Sequence, residues 1–333
     1  MTDSNEKFVV DGKDSQFGIL GENIRVEGGI HFHSSESGVN KSEDKSAFGW
    51  LVTRMCNRED HDHRFKEFFI EKSNDEKCRD HPQFYIIQGN EGQCHNSLVE
   101  RLLHTHIKNF VRQEWKEKTI LPKPYRVSWF KDKELEKHKN RLKHEVFSAV
   151  NPRYMGADYS INALCSMPGI KEYNLVLIVH YIQASEWESY SADLLKWYMQ
   201  DFWSRHECKE NMPRFLIFFN IEYPVPSPGC SLLKRLLKKE NRVKNRVIKD
   251  VETVYNAVKD SCNCLLLEEI DSVSKEDVKN WFFKYTELGD SILHENLKDL
   301  FKDSEHKSMA EIEVWLQKIY EKIDRERFMS QNV

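Results

Sequence analysis

The chain has 333 residues, room for one large α/β domain or two modest ones. A formal net charge of −4 spreads no basic field over it, so the chain as a whole is not built for nucleic acid. Aromatic residues at 12% supply a substantial core and exclude wholesale disorder.

No apolar run approaches the roughly 18 residues of a membrane span, so none is expected. The polar start, Met1 to Lys7, has no signal-peptide core. The expectation is a cytoplasmic protein whose eight cysteines are reduced.

Residues 1–45 stand apart from the rest. Between Asp11 and His33, glycines separate short pieces in which Ile24, Val26, Ile30 and Phe32 alternate with polar residues. This is a short Gly-rich β leader, too small to bury a core alone, followed by a polar linker from Ser34 to Ser46. Helices are expected from about Lys45 to Cys56 and from Asp60 to Lys72, the second with Phe65, Phe68 and Phe69 on one side. A strand over Phe84–Ile87 leads through a loop into a helix from about Asn96 to Lys116.

A strand at Tyr125–Trp129 and a helix over Lys133–Ala149 come next, and Met155 to Gly169 reads as loop. The continuous apolar run Tyr173–Ile182 suits the centre of a parallel sheet covered on both faces. A helix over Ala192–Cys208 and a second buried strand over Pro213–Asn220 precede a break at Pro224, Pro226 and Pro228. A basic helix from Ser231 to Val258 and a short strand Cys264–Leu267 follow, then a helix capped by Ser274 and Asp277 and an amphipathic tail helix from about Lys307 to Met329. Strands alternating with helices in this way indicate a layered α/β fold with a mainly parallel sheet, in which ligands sit at the carboxyl ends of strands.

One such end carries the most informative pattern. A phosphate-binding loop reads G-x-x-x-x-G-K-[ST] between a strand and a helix. With the frame started at Gly89, the second glycine falls on Cys94, the lysine on His95 and the hydroxyl residue on Asn96, while Gly92 lies within the loop. His95 lacks the permanent charge of lysine, Asn96 lacks the magnesium-binding hydroxyl, and Cys94 adds a side chain where the backbone must approach phosphate. The spacing alone also fits an ordinary strand–turn–helix.

A hydrolysing enzyme needs in addition an acid at a neighbouring strand end to hold magnesium. The run Leu175–Val179 ends in His180, Tyr181, Ile182 and Gln183, with no acid before Glu186. The other strand ends in Asn220, Ile221 and Glu222, and Glu222 is hemmed in by Pro224. No catalytic residue is assigned.

Other chemistry finds less support. The histidine pairs His31/His33, His61/His63 and His104/His106 are not matched by cysteine pairs at zinc-site spacing, since Cys262 and Cys264 are separated by one residue; no metal and no cofactor is assigned. Cys94 and His95, adjacent at a helix start, point apart and make no nucleophile–base pair. Within the basic helix, Lys234, Arg235, Lys238, Lys239 and Arg242 form a solvated face or a docking face for an acidic partner, nucleic acid or anionic lipid. In the tail helix, Ile312, Trp315, Leu316 and Ile319 form a stripe that either closes the domain or binds another helix, which makes Trp315 and Ile319 candidate partner contacts.

Several separated pieces together resemble one family, the inactive STAND domains, degenerate relatives of the signal-transduction ATPases with numerous domains. Met55 to Asp60, with Phe65 after it, resembles that family's L-C-D-R helix, although Asn57 stands where Asp is usual. Phe84 to Gly92 resembles its strand and degenerate loop, and Cys94 to Leu102 its His-containing helix start followed by an Arg-Leu pair. Ile270 to Val273 leading to Asp277–Trp281 resembles its closing segment.

The resemblance implies a three-layered P-loop-like core over residues 46–290 without ATPase activity, after the leader of 1–45 and before a C-terminal helical extension over 291–333. It also implies a non-catalytic adaptor or sensor in bacterial antiviral or conflict signalling, with a protein partner such as an effector or protease encoded nearby. A nucleotide-binding switch without efficient hydrolysis, and a nucleic-acid binder using the helix at 231–258, are the alternatives.

Overall fold

The two longest apolar runs form adjacent strands at the middle of the molecule, because a strand apolar on both faces needs cover on both. The computed structural model describes residues 58–114, 124–171, 173–203, 213–225, 233–285 and 297–319. The β leader, its linker, the helix expected before Cys56 and the tail beyond Ile319 lie outside the described residues.

In chain order the elements are α1 (Glu59–Asn74), β1 (Gln83–Asn90), α2 (His95–Leu102), β2 (Tyr125–Ser128), α3 (Leu135–Val150), α4 (Ile161–Cys165), α5 (Pro168–Lys171), β3 (Leu175–Gln183), α6 (Ser191–Trp197), β4 (Arg214–Tyr223), α7 (Leu233–Val258), β5 (Asn263–Ile270), β6 (Val273–Ser274), α8 (Lys275–Tyr285) and β7 (His306–Lys307). A last helix, α9, spans 309–319. The segment expected to be a loop at 155–169 instead contains α4, started by Ser160, whose Oγ accepts a hydrogen bond from the Ala163 N–H at 3.3 Å.

Five strands make one parallel sheet in the order β2-β3-β4-β1-β5. β1 lies between β4 and β5, so the loop that follows it opens at the carboxyl edge beside the ends of both. Alternation along the strands divides the core. Phe84, Ile86, Val176, Ile178, Ile217 and Phe219 face one side with α3, α6 and α7. Tyr85, Ile87, Leu177, Val179, Leu216 and Phe218 face the other with α1 and α2. The result is a three-layered, P-loop-like α/β fold. Among the described residues no helix is long and apolar enough to cross a membrane.

The α1–α2 layer is pinned by a charged cluster as well as by its apolar face. α2 widens into a π-helical turn over Leu103–Ile107 before continuing as Lys108–Glu114. From this turn His106 Nε2 meets Asp62 Oδ2 of α1 at 2.8 Å, while Arg101 Nη2 lies 3.1 Å from Asp62 Oδ1. Burial favours a neutral Asp62, but the hydrogen bond from His106 and the charge of Arg101 outweigh it and hold the carboxyl below its ordinary range.

Arg101 is almost fully buried, so removing its counter-charge is more costly than removing the pair. Asp62→Ala should destabilise the domain by about 3–5 kcal/mol, and the double variant Asp62→Ala/Arg101→Met by clearly less. Urea unfolding of the two variants measures the difference.

Candidate functional site

The candidate site is the turn between β1 and α2, and each residue in it has a local cause. Gly89 ends the strand where β5 passes close by: a Cβ there would lie 2.8 Å from the Ile270 carbonyl oxygen. Gly92 turns the chain with φ of +82°. Cys94 also holds φ of 56°, the single non-glycine residue with positive φ among those described. The second glycine position of the motif has therefore kept its left-handed backbone while gaining a side chain, at a cost of about 1–2 kcal/mol.

His95 is fully buried, and its ring turns into the loop instead of reaching out of it. Nε2 sits 3.2 Å from where a Gly89 Cβ would be, and Nδ1 is 3.4 Å from Glu222 Oε1 at the end of β4. Glu222 also accepts a hydrogen bond from Gln183 Nε2 at 2.8 Å. Burial would raise the Glu222 carboxyl, but His95 and Gln183 together keep it below its usual range. The acid that might have held magnesium is thus held by two side chains of the same chain.

Asn96, at the hydroxyl position, accepts at Oδ1 from Asn220 Nδ2 at 3.1 Å. The loop's own N–H groups are used too: Glu91 N–H donates to the Tyr223 carbonyl at 2.7 Å and Gln93 N–H to the Asn90 carbonyl at 3.2 Å. Cys94 and His95 do diverge, the first toward the C-terminal helices and the second into the loop.

Inside β3, three residues before the strand ends at Gln183, His180 is buried and its Nε2 lies 3.0 Å from the Tyr198 hydroxyl. Burial alone pushes its pKa down to about 3. The imidazole is therefore neutral within the core, and β3 ends in Gln183 with no acid along it.

Arg58, just before α1, closes the loop from its other side. Its guanidinium donates to the Asp271 carbonyl at 3.2 Å, the Gln93 carbonyl at 3.4 Å and Gln93 Oε1 at 3.3 Å. Sequence placed Arg58 only within the L-C-D-R resemblance; its contact with the loop was not foreseen, nor were those of Gln93, Gln183 and Asn220. Beside Arg58 lies a cleft of about 430 Å³ lined by six carboxylates, Glu59, Asp60, Glu268, Glu269, Asp271 and Asp277, together with His61, Asn280 and Trp281.

The other residues singled out from sequence are not brought to this loop as a group. Arg242 is exposed on α7, while the side chains of Lys234, Arg235, Lys238 and Lys239 lie outside the described residues. Lys244 of the same helix does reach the loop, donating to Asn90 Oδ1 at 3.3 Å and pairing with Glu269. Trp315 is half-buried and Ile319 buried, and Ile312 and Leu316 on the same stripe pack into a cluster with Val273, Val278 and Trp281. That stripe is therefore largely covered by its own chain. Among the described residues no group of three His, Cys, Asp or Glu side chains could hold a metal.

The family model described as inactive STAND matches residues 53–221. The chain belongs to the inactive STAND family. A search of curated protein sequences finds no match.

Solved structures similar to this chain include the Aeropyrum pernix ORC1 protein in complex with DNA, 13% identical with a TM-score of 0.44, over 84% of this chain and 64% of that one. Drosophila ORC bound to DNA is 8% identical with a TM-score of 0.36, over 86% of this chain and 63% of that one. This inactive STAND chain therefore spans less than two thirds of either. Likeness at this distance carries nothing about activity, and the fold assignment rests on the sheet order and the burial.

Two outcomes follow from the site. Cys94→Gly removes left-handed strain but also a packed thiol, so stability should change by no more than about 1 kcal/mol, whereas Cys94→Val, β-branched at positive φ, should cost about 2 kcal/mol or more. Denaturant midpoints of the two variants decide this.

The second concerns pH. His180 has a folded pKa below its unfolded value, so the unfolded state takes up the extra proton. Stability is complete above about pH 6.5 and declines as pH falls toward about 3, by up to ~1.4 kcal/mol per unit. His180→Gln should show a shallower decline when unfolding is followed between neutral and mildly acidic pH.

Proposed function

We propose that this domain is a non-catalytic adaptor, which binds a partner protein in a bacterial antiviral or conflict signalling system and does not turn over nucleotide. The observation that carries the reading is the burial of His95 inside the loop and its proximity to Glu222. A phosphate would have to displace a ring that is packed against Gly89 and paired with an acid.

Electrostatics support the same reading. The neighbouring cleft is lined by six carboxylates. Lys244 and Arg64 pair with Glu269 and Glu268, and the remaining charge repels a polyphosphate. Membership of the inactive STAND family agrees with the loss of hydrolysis. The partner would be an effector or protease encoded beside this chain, met in the cytoplasm.

Isothermal titration and thermal-shift assays with ATP and GTP, with and without Mg²⁺, should show no saturable heat and no rise in Tm. Saturable binding that His95→Ala alters would overturn the non-nucleotide reading. Co-expression with the products of adjacent genes should recover a stoichiometric complex, and none forming with any of them would remove the adaptor role.

A further inference from the structure

The described apolar residues form three clusters, and the third is separate from the two that sandwich the sheet. It is built from Val273, Val278 and Trp281 together with Leu297, Met309, Ile312 and Leu316. The loop side chain that packs against it is Cys94, the residue in the place of the second glycine. Backbone contacts fall at the same point. Ala310 N–H donates to the Gly92 carbonyl at 2.9 Å, and Met309 N–H to Gln93 Oε1 at 3.4 Å. A Cβ on Gly92 would lie 3.4 Å from Ser308 Cβ, so helix α9 begins in contact with the turn.

Gln93 Oε1 also accepts from Arg58, so one buried amide oxygen joins the residue before α1 to the first turn of α9. We infer that the emptied loop is a mechanical joint: it fastens α9 to the sheet, with Arg58 as its pin and Cys94 as the side chain that seats it. The left-handed strain at Cys94 then has a use, because a glycine there could not fill the third cluster.

The position of the pin gives the joint a direction of control. Residues 1–57 run directly into Arg58 in sequence, so a force on that preceding segment, or a protein bound to it, is transmitted to the residue whose guanidinium holds Gln93. Withdrawing Arg58 removes the donor that fixes the orientation of the Gln93 side chain, so its oxygen is no longer held in line with the Met309 N–H. The motion this permits is release of α9 with the sheet intact, since β1, β4 and β5 are paired independently of it. The joint lies within the chain and works whichever partner is bound, or none.

Cys94 is a probe already in place. In the full chain without added ligand, alkylation of Cys94 by iodoacetamide is followed by mass spectrometry, with Cys78 as the reference thiol, alongside hydrogen exchange over 305–319. Arg58→Ala and Gln93→Ala should each raise Cys94 labelling by about tenfold and speed exchange in α9, with Cys78 and the amides of β3 and β4 unchanged.

Unchanged Cys94 labelling in a folded Gln93→Ala variant overturns the proposal. So does exchange that rises equally in the sheet, which would make the contact part of global stability. Should Arg58→Ala fail to fold, Gln93→Ala alone decides the matter. A protein that bound nucleotide yet showed the predicted release would refute the function proposed above and leave the joint standing.

Discussion

The carboxyl edge of this sheet is organised by one buried ring. His95 fills the turn after β1 and approaches Glu222 at the end of β4, so the two strands that pair along their length are also tied at their ends. Burying a polar ring is costly unless something compensates; Glu222 Oε1 approaches Nδ1 at 3.4 Å, but neither ring nitrogen completes a hydrogen bond, so part of the cost remains. Once that ring is in place, the geometry of the loop follows. The N–H groups of Glu91 and Gln93 turn to backbone carbonyls, Asn96 turns to Asn220, and Cys94 holds a glycine-like bend.

Positive charge does stand near the loop, but its partners lie within the chain. Arg58 supplies a buried cation, but it is satisfied by carbonyl oxygens of Gln93 and Asp271. Lys244 supplies another, paired with Glu269. Both charges are already neutralised or hydrogen-bonded within the chain, so neither offers an anion the open, undershielded cation of a working phosphate site. The surrounding carboxylates deepen that difference.

Much of this was legible in the residues. The two-sided apolar runs at Leu175 and Phe215 suit central strands, which they form, and the frame from Gly89 to Asn96 pointed to the turn between β1 and α2. What stayed hidden was tertiary. Arg58 and Gln93 are 35 residues apart, and Gln93 and Met309 are 216 apart, and no periodicity links such positions. The π-helical turn left no mark either, because its residues have the same helical pattern as their neighbours; only the meeting of His106 with Asp62 gives it a purpose. Nor does the charge of the basic helix tell its faces apart: Lys244 faces inward to Asn90 and Glu269 while Arg242 faces solvent.

The strand order has a consequence for how the protein is made. In β1, Gln83 pairs with Leu216 on one side and with Asn263 on the other, so this strand has no neighbour until much of the chain has left the ribosome. Parallel pairing between such distant segments is slow, and an unpaired strand of this composition is sticky while it waits. Helices α1 and α2, which meet through Phe65, Asp62 and Arg101, can shield one face of β1 during synthesis, long before the sheet closes around it.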